Sequence, residues 1–506
     1  MSLSLRSLFH TSFSRIPVTH SFRVAKYHFT YCTRKPAASY IQLYSVTCPR
    51  AMLTTELSNA DVAALRANKE RLQKYIHNSC QWGTGIRWGD KPTDTGMARL
   101  ALSQEDKQVR DWFKETTEAL GCKVTVDAMG NMFAVRPGRR QDVPPTFVGS
   151  HLDTQPTGGR YDGILGVCAG IEMLKVLEEN GIETEGGVGV VNWTNEEGAR
   201  FPMSMVSSGV WAECIPLSAA HNLFEVPTVA SLPSAASSPE SMKSALEKIN
   251  YLGTVPCSYN ATPMAAHFEL HIEQGPHLIT SGQRVGVVTA VQAYRWYRIN
   301  VTGRDCHTGT TSFEHRADAL YASAKMMVRA REIAQKLGCL ASVGIVEIKP
   351  GSVNTVPGFV SFSLDIRGPE SENVDVLDNE LRKEFDAIAA EEGKNIGKPC
   401  RVEWQLDFDS PAIKFHPDCI ECVTEATKAV VSDSPNPESM YRTIRSGAGH
   451  DSVFTSKRVP TSMVFVPCRD GVSHHPEEFS TAEECVDGAS VLLQAVVRYD
   501  RKRFSS

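Results

Sequence analysis

The chain has 506 residues, 42% of them hydrophobic and 22% charged. That balance fits an ordinary folded protein and excludes a disordered chain, a collagen and a coiled coil. A formal charge of -5 is too small to favour nucleic acid or a membrane surface, and no run of about 18 apolar residues offers a membrane-spanning helix.

The charge is unevenly spread. Residues 1–55 hold seven Lys or Arg and no acid, and they are rich in Ser, Thr and aromatic residues, as in Ser12-Phe13-Ser14-Arg15. This composition predicts a transit peptide and a mitochondrial matrix protein; the alternative is an upstream extension, with Met52 as the working start and a cytoplasmic product. From about Ala60 the pattern is helical, with Leu65, Leu72 and Ile76, then Val109, Trp112 and Phe113, at helical spacing. A strand over 145–149 runs into a polar loop, 150–163. A helix follows from Ile164 to Glu179, stopped by Asn180-Gly181. A second strand, Val188 to Trp193, ends in Thr194-Asn195-Glu196-Glu197. Strand, polar loop, helix, strand predicts an α/β sheet, in which ligands gather at the carboxyl ends of strands.

Residues 224–265 form an excursion, with a loop over 232–239. Near Gly286 the style changes to two-residue alternation, through 297–301 and again at Phe362, Leu364 and Ile366. Helices are predicted near 315–337 and 374–392, and the first style resumes near 410 with helices over 419–431 and 483–499. The predicted architecture is a discontinuous α/β catalytic domain, 56–288 and 410–506, interrupted by a smaller α+β domain, 289–409. The 14 cysteines are scattered, which predicts reduced thiols in an intracellular compartment. Cys419 and Cys422 are taken as adjacent turns of a helix in preference to half a zinc site.

The chemistry concentrates in a few clusters. His151, Asp153 and Asp162 share one loop after a strand, and imidazole with carboxylate suits zinc, cobalt or manganese. Asp153 is placed to bond the distal nitrogen of His151. The other possibility is a solvated turn. Glu196 and Glu197 are adjacent acids at a strand end and repel unless a cation separates them. One could bind metal while the other serves as a general base towards water; a solvated acidic turn is the alternative. His271, His307, His450 and His474 each sit beside small or turn-forming residues, and spacing alone does not say which of them converge.

These clusters together carry a resemblance. The stretches 151–163, 192–201, 271–276, 303–311, 446–452 and 473–478 match, in order over roughly residues 60–500, those of di-metal amidohydrolases related to aminoacylase and carboxypeptidase G. Within these the chain is most similar to the N-carbamoyl amino acid and allantoate amidohydrolase branch. Residues 158–167 and 291–294 resemble the fungal β-alanine synthases, or β-ureidopropionases.

The resemblance implies two divalent metal ions, zinc or alternatively manganese, bridged by Asp162. His151 and His271 would complete one ligand set, Glu197 and His474 the other. It implies Glu196 as general base, Asp153 as its companion in the catalytic machinery and His307 as an oxyanion contact. Asn354 and Arg367 would hold a substrate carboxylate, and Gln274, His307, Gly449 and His450 would contact the carbamoyl or carboxylate groups. The inserted domain would act as lid and homodimer contact, with His307, Asn354 and Arg367 supplied by the partner or by closure. The implied reaction is hydrolysis of N-carbamoyl-β-alanine to β-alanine, carbon dioxide and ammonia. N-carbamoyl-L-amino acids, allantoate and ureidoglycolate are the alternative substrates. A non-catalytic dimeric homologue is the alternative of a different class, and the complete ligand set speaks against it.

Overall fold

Apolar runs with no polar alternation are what a parallel sheet covered on both faces requires. Three largely apolar runs and one alternating strand, Ala266–Ile272, pair in parallel at the centre of the fold, in the order Thr461–Val466, Ala266–Ile272, Thr146–His151 and Val188–Trp193 across the sheet. Every residue in them is buried. The computed structural model describes residues 57–226 and 238–505; the 1–55 leader and most of the 232–239 loop lie outside these. Antiparallel strands extend the sheet, Met132–Arg136 and Lys123–Val126 on one side, Val285–Val291 and Ile413–Lys414 on the other.

The strand placed at 145–149 runs on to His151, so Ser150 and His151 belong to the sheet and not to the following loop. Pairing then fixes His151 opposite Trp193. The Ile164–Glu179 helix has thirteen of its sixteen residues buried, so it is a central helix and not an amphipathic surface one. It packs against the sheet, as do Pro417–Val430 and Ala482–Phe504, and Lys69–Ser79 packs on it and on Ala482–Phe504. Cys419 and Cys422 are free, buried residues of the Pro417–Val430 helix. The apolar repeat through Leu65 and Ile76 is two helices, Asn59–Ala64 and Lys69–Ser79. The break is set by Asn68, whose side chain accepts the Arg71 N–H and caps the second helix.

Between Ala293 and Ser410 the chain builds a second, antiparallel sheet with its own core. Phe359–Gly368 and Ala293–Thr302 lie at its centre, Arg401–Ser410 on one side, Leu340–Ser342 and Val346–Lys349 on the other. Alternation decides the faces. Phe362, Leu364, Ile366 and Ile299 point to the Ala319–Lys336 and Ser371–Glu391 helices. The opposite face, with Tyr294, Trp296, Asp365 and Arg367, has no helix over it among the described residues and faces the larger domain's strand ends. The architecture is therefore mixed α/β with an inserted α+β unit.

One central strand, Ala266–Ile272, carries a buried polar row of His267, Glu269 and His271. Glu269 is satisfied by the hydroxyls of Ser150 (2.7 Å) and Ser452 (2.6 Å). Burial pushes His267 down to about 4, against a weaker opposing pull from Glu269. An unfolded histidine titrates near 6.5, so the unfolded chain takes up this proton first on acidification. Stability present above that pH is lost as the pH falls towards 4, by roughly 3 kcal/mol from this residue. A His267→Gln variant is expected to flatten the slope of unfolding free energy between those values in urea titrations; a slope equal to that of the parent chain would contradict the assignment.

Candidate active site

All four parallel strands deliver polar side chains at their carboxyl ends, the usual place for a site in a sheet of this kind. His151 closes its strand, and His271 stands one residue from the end of the next. Glu196 and Glu197 follow the Trp193 end, and His474 lies in the loop after Val466. Two fully buried arginines fix the connecting loops. Arg99 donates to the carbonyls of Leu152, Ser79 and Trp82, each at 2.7–2.8 Å. Arg110 pairs with Asp106 (2.8 Å) and donates to Gly130 O and Thr194 Oγ1.

Asp162 is the centre of the cluster. Its Oδ1 lies 3.0 Å from His271 Nε2 and 3.5 Å from His151 Nε2. Its Oδ2 lies 3.4 Å from His474 Nε2, which is also 3.4 Å from Glu197 Oε2. Two groups of potential ligand atoms result, His151–Asp162–His271 and Asp162–Glu197–His474. Within each, the atoms lie within 4.8 Å of one another, and the two groups share the two oxygens of one carboxylate. Glu196 belongs to neither group; its Oε2 stands 3.5 Å from His151 Nε2. Only glycine fits after Asp162: Gly163 has φ +67°, and a Cβ there would lie 2.4 Å from the His151 ring.

The donor chemistry fits divalent cations. His151 Nδ1 bonds the Asp153 carbonyl and His271 Nδ1 bonds the Ile272 carbonyl, both at 2.9 Å. Each ring therefore carries a proton on Nδ1, and Nε2, the nitrogen turned towards Asp162, is the one available to a cation. Among the described residues, His151 Nε2 is buried with no hydrogen-bond partner. The charges agree. Burial, followed by the negative charges of Asp451, Glu197 and Asp162, holds the Glu196 carboxyl well above the usual range, with His151 opposing. Burial and the neighbouring Asp162 likewise raise Glu197. Burial opposes a charge on His474, but its bond to Asp162 and the charge of Glu197 push it up to about 9. Protons are drawn in where the cluster lacks positive charge, and a pair of cations would supply that charge directly.

Other residues depart from their expected places. The Asp153 carboxylate does not touch His151; its backbone carbonyl does. The carboxylate instead accepts the N–H groups of Glu196 and Glu197, both at 3.3 Å, because the side chain turns to the neighbouring strand end. Gln274 donates to Asp162 Oδ2 at 2.8 Å, so it supports the shared carboxylate rather than standing free for substrate. His307 and Asn354, both exposed, lie on or beside the Cys306–His307 and Thr355–Val356 ribbon and do not line this chain's cleft. His307 Nδ1 accepts the N–H groups of Gly309 and Thr310, and Asn354 bonds Ser352. Arg367, Gly449 and His450 do reach the cleft, a space of about 350 Å³ that also takes in Tyr294 and Trp296. Burial and the nearby His271 push His450 down to about 3, so its ring is neutral at ordinary pH.

Glu478 was not singled out from the sequence. Its buried carboxylate accepts the N–H groups of Tyr161 and Asp162 on one oxygen, each at 3.0 Å, and its other oxygen lies 2.9 Å from the Ser473 hydroxyl. Ser473 in turn donates to Asp162 Oδ2 at 2.7 Å. Only its place four residues after His474 hinted at this, and the adjacent, exposed Glu477 carried the same hint.

Comparison with known proteins shows the family. The model of the peptidase family M20/M25/M40 matches residues 147–498. The chain belongs to this family. An N-carbamoyl-L-amino-acid amidohydrolase of Rhizobium meliloti is 35% identical over 436 residues, 85% of this chain and 96% of that protein. A ureidoglycolate hydrolase of Oryza sativa subsp. japonica is 29% identical, over 81% of this chain and 82% of its own length. Among solved structures, a hydantoinase/carbamoylase family amidase from Burkholderia multivorans superposes with a TM-score of 0.73 at 37% identity, covering 86% of this chain and 98% of that one. As a family member with this ligand cluster, the protein is a metal-dependent amidohydrolase.

Replacing the Glu478 carboxylate by an amide leaves one oxygen for the Tyr161 and Asp162 N–H groups but sets an NH₂ against the Ser473 hydroxyl that supports Asp162. Glu478→Gln is expected to weaken metal binding on the order of ten- to a hundredfold, read by competitive zinc titration; affinity unchanged from the parent chain would remove Glu478 from the support of the cluster.

Proposed function

We propose that the protein hydrolyses N-carbamoyl amino acids, with N-carbamoyl-β-alanine as the preferred substrate. The observation that carries the reading is the meeting, in one cleft, of the Asp162-centred ligand groups, the uncommitted carboxylate of Glu196, and the guanidinium of Arg367 from the inserted sheet. Similarity to carbamoyl amino acid amidohydrolases supports the carbamoyl group; the 158–167 and 291–294 stretches support the β-amino acid.

His151, Asp162, His271, Glu197 and His474 would hold two divalent ions, which would polarise the carbamoyl carbonyl and acidify a water. Zinc suits these ligands, with manganese the alternative. Glu196 takes the proton of the attacking water as its oxygen bonds to the carbamoyl carbon. It passes that proton to the amino nitrogen as the bond from that nitrogen to the carbamoyl carbon breaks. The carbamate released decomposes to carbon dioxide and ammonia. Arg367 sets the reacting carbon by holding the substrate carboxylate, a task its planar donor fork suits. Gly449 leaves room at the wall, since a Cβ there would lie 3.1 Å from Tyr294 Oη. His450 and Gln274 complete the lining. His307 and Asn354, outside their own cleft, would close over that of a second copy paired through residues 289–409.

A second reading, an N-carbamoyl-L-α-amino acid as substrate, rests on the Rhizobium meliloti relative. Ammonia release from N-carbamoyl-β-alanine, N-carbamoyl-L-alanine and allantoate by the metal-loaded chain separates these readings, preference for the first being expected. Glu196→Gln should keep its metals and lose nearly all turnover on whichever is best. Near-parental turnover in that variant, or silence of the parent on all three compounds, would sink the proposal.

A further inference from the structure

The geometry points to Asp365 as a positioning residue for Arg367, an inference that rests on the carboxylate-holding role just proposed for that arginine. The two lie two apart on the Phe359–Gly368 strand and share the face left uncovered by helices. Asp365 engages one edge of the guanidinium, with both its oxygens 3.1 Å from Nε and Oδ2 2.7 Å from Nη2. The third nitrogen, Nη1, donates to the Gly447 carbonyl of the larger domain at 2.7 Å. The Tyr294 ring lies 5.0 Å beneath the guanidinium carbon and is stacked on Phe408.

A guanidinium has five N–H donors in a fixed plane. Three are engaged here, which leaves one on each terminal nitrogen. The plane is thus set by a carboxylate on one edge, an aromatic ring below and a carbonyl at one end, and the remaining donors belong to whatever enters the cleft. The 291–294 stretch, marked by its resemblance to β-alanine synthases but given no part in the chemistry above, also ends in this cluster. Gln292 Nε2 donates to the same Gly447 carbonyl at 2.7 Å, and Tyr294 is the platform.

An ordinary surface ion pair would do little. Asp365 and Arg367 have side chains only 26% and 25% exposed, and Arg367 lines the cleft. The charge argument runs opposite to the positioning argument, which makes the two separable. Removing the Asp365 charge leaves Arg367 more positive and, on charge alone, would lower KM for an anion without harming kcat. If Asp365 orients the fork, its loss misplaces the substrate and lowers kcat.

The test is a double-mutant cycle on the metal-loaded full chain: parent, Asp365→Asn, Arg367→Ala and the double variant, assayed on the best N-carbamoyl amino acid. The expected result is a fall in kcat/KM on the order of tenfold or more for Asp365→Asn, most of it in kcat. No further fall is expected when the same change is made in the Arg367→Ala background. Equal losses in both backgrounds, or a lower KM with kcat intact, would overturn the inference while leaving Arg367 in its role. Parental kinetics in Arg367→Ala would overturn the carboxylate reading itself, and the inference with it. If Asp365→Asn does not fold by circular dichroism, Asp365→Ser carries the same cycle.

Discussion

The structure turns on a concentration of buried negative charge. Asp162, Glu196, Glu197, Asp153, Glu269, Glu478 and Asp451 all lie in or against the strand ends, and burial disfavours the ionised form of each. Backbone N–H groups and hydroxyls satisfy part of this charge, as at Glu478 and Glu269. Ser473 and Gln274 donate to Asp162, the Gln155 N–H to Glu197 and the Gly163 N–H to His271, yet between Asp162, its three histidines and Glu197 imidazole nitrogens still face carboxylate oxygens at 3.0–3.5 Å. Such a gap is stable only with positive charge in it, and two cations sharing one carboxylate supply it with the fewest groups.

The rest of the larger domain holds that gap open. Parallel pairing of four buried strands brings His151, His271 and the loops of Glu196 and His474 to one end of the sheet. Arg99 and Arg110, both buried, tie the loops on either side of the cluster to main-chain carbonyls. Asp153 aligns the two glutamates through their N–H groups, so that Glu197 enters a ligand group while Glu196 stays apart from it. The inserted sheet meets this end with its uncovered face, and the Gly447 carbonyl, accepting from Gln292 and Arg367, is one of the points where the two units touch.

Much of this was legible in the sequence, for physical reasons. The Ile164–Glu179 helix and the Val188–Trp193 strand stand where the apolar runs and the Asn180-Gly181 stop put them, because buried elements leave an unbroken apolar record. The five members of the two ligand groups were legible as a set only through resemblance, since they are spread over more than 300 residues and nothing local says that they meet. What stayed hidden was the role of side chains whose partners are main-chain atoms. Asp153 could not be told from a histidine partner, nor Glu478 from Glu477, before the backbone was placed. His307 and Asn354 are the opposite case, singled out by motif and then found exposed, away from their own cleft.

The inserted unit explains why the cleft joins two chemistries, a cation-demanding floor and a guanidinium held above it, and why neither part alone would define a substrate. The central claim concerns the floor. Bound divalent metal per chain, measured by inductively coupled plasma mass spectrometry after zinc loading and gel filtration, tests it most directly when the parent and Asp162→Asn are compared. The account predicts two ions in the parent, one for each ligand group, and the loss of both when the shared carboxylate is removed. A parent that retains fewer than two, or an Asp162→Asn chain that keeps both, would contradict it.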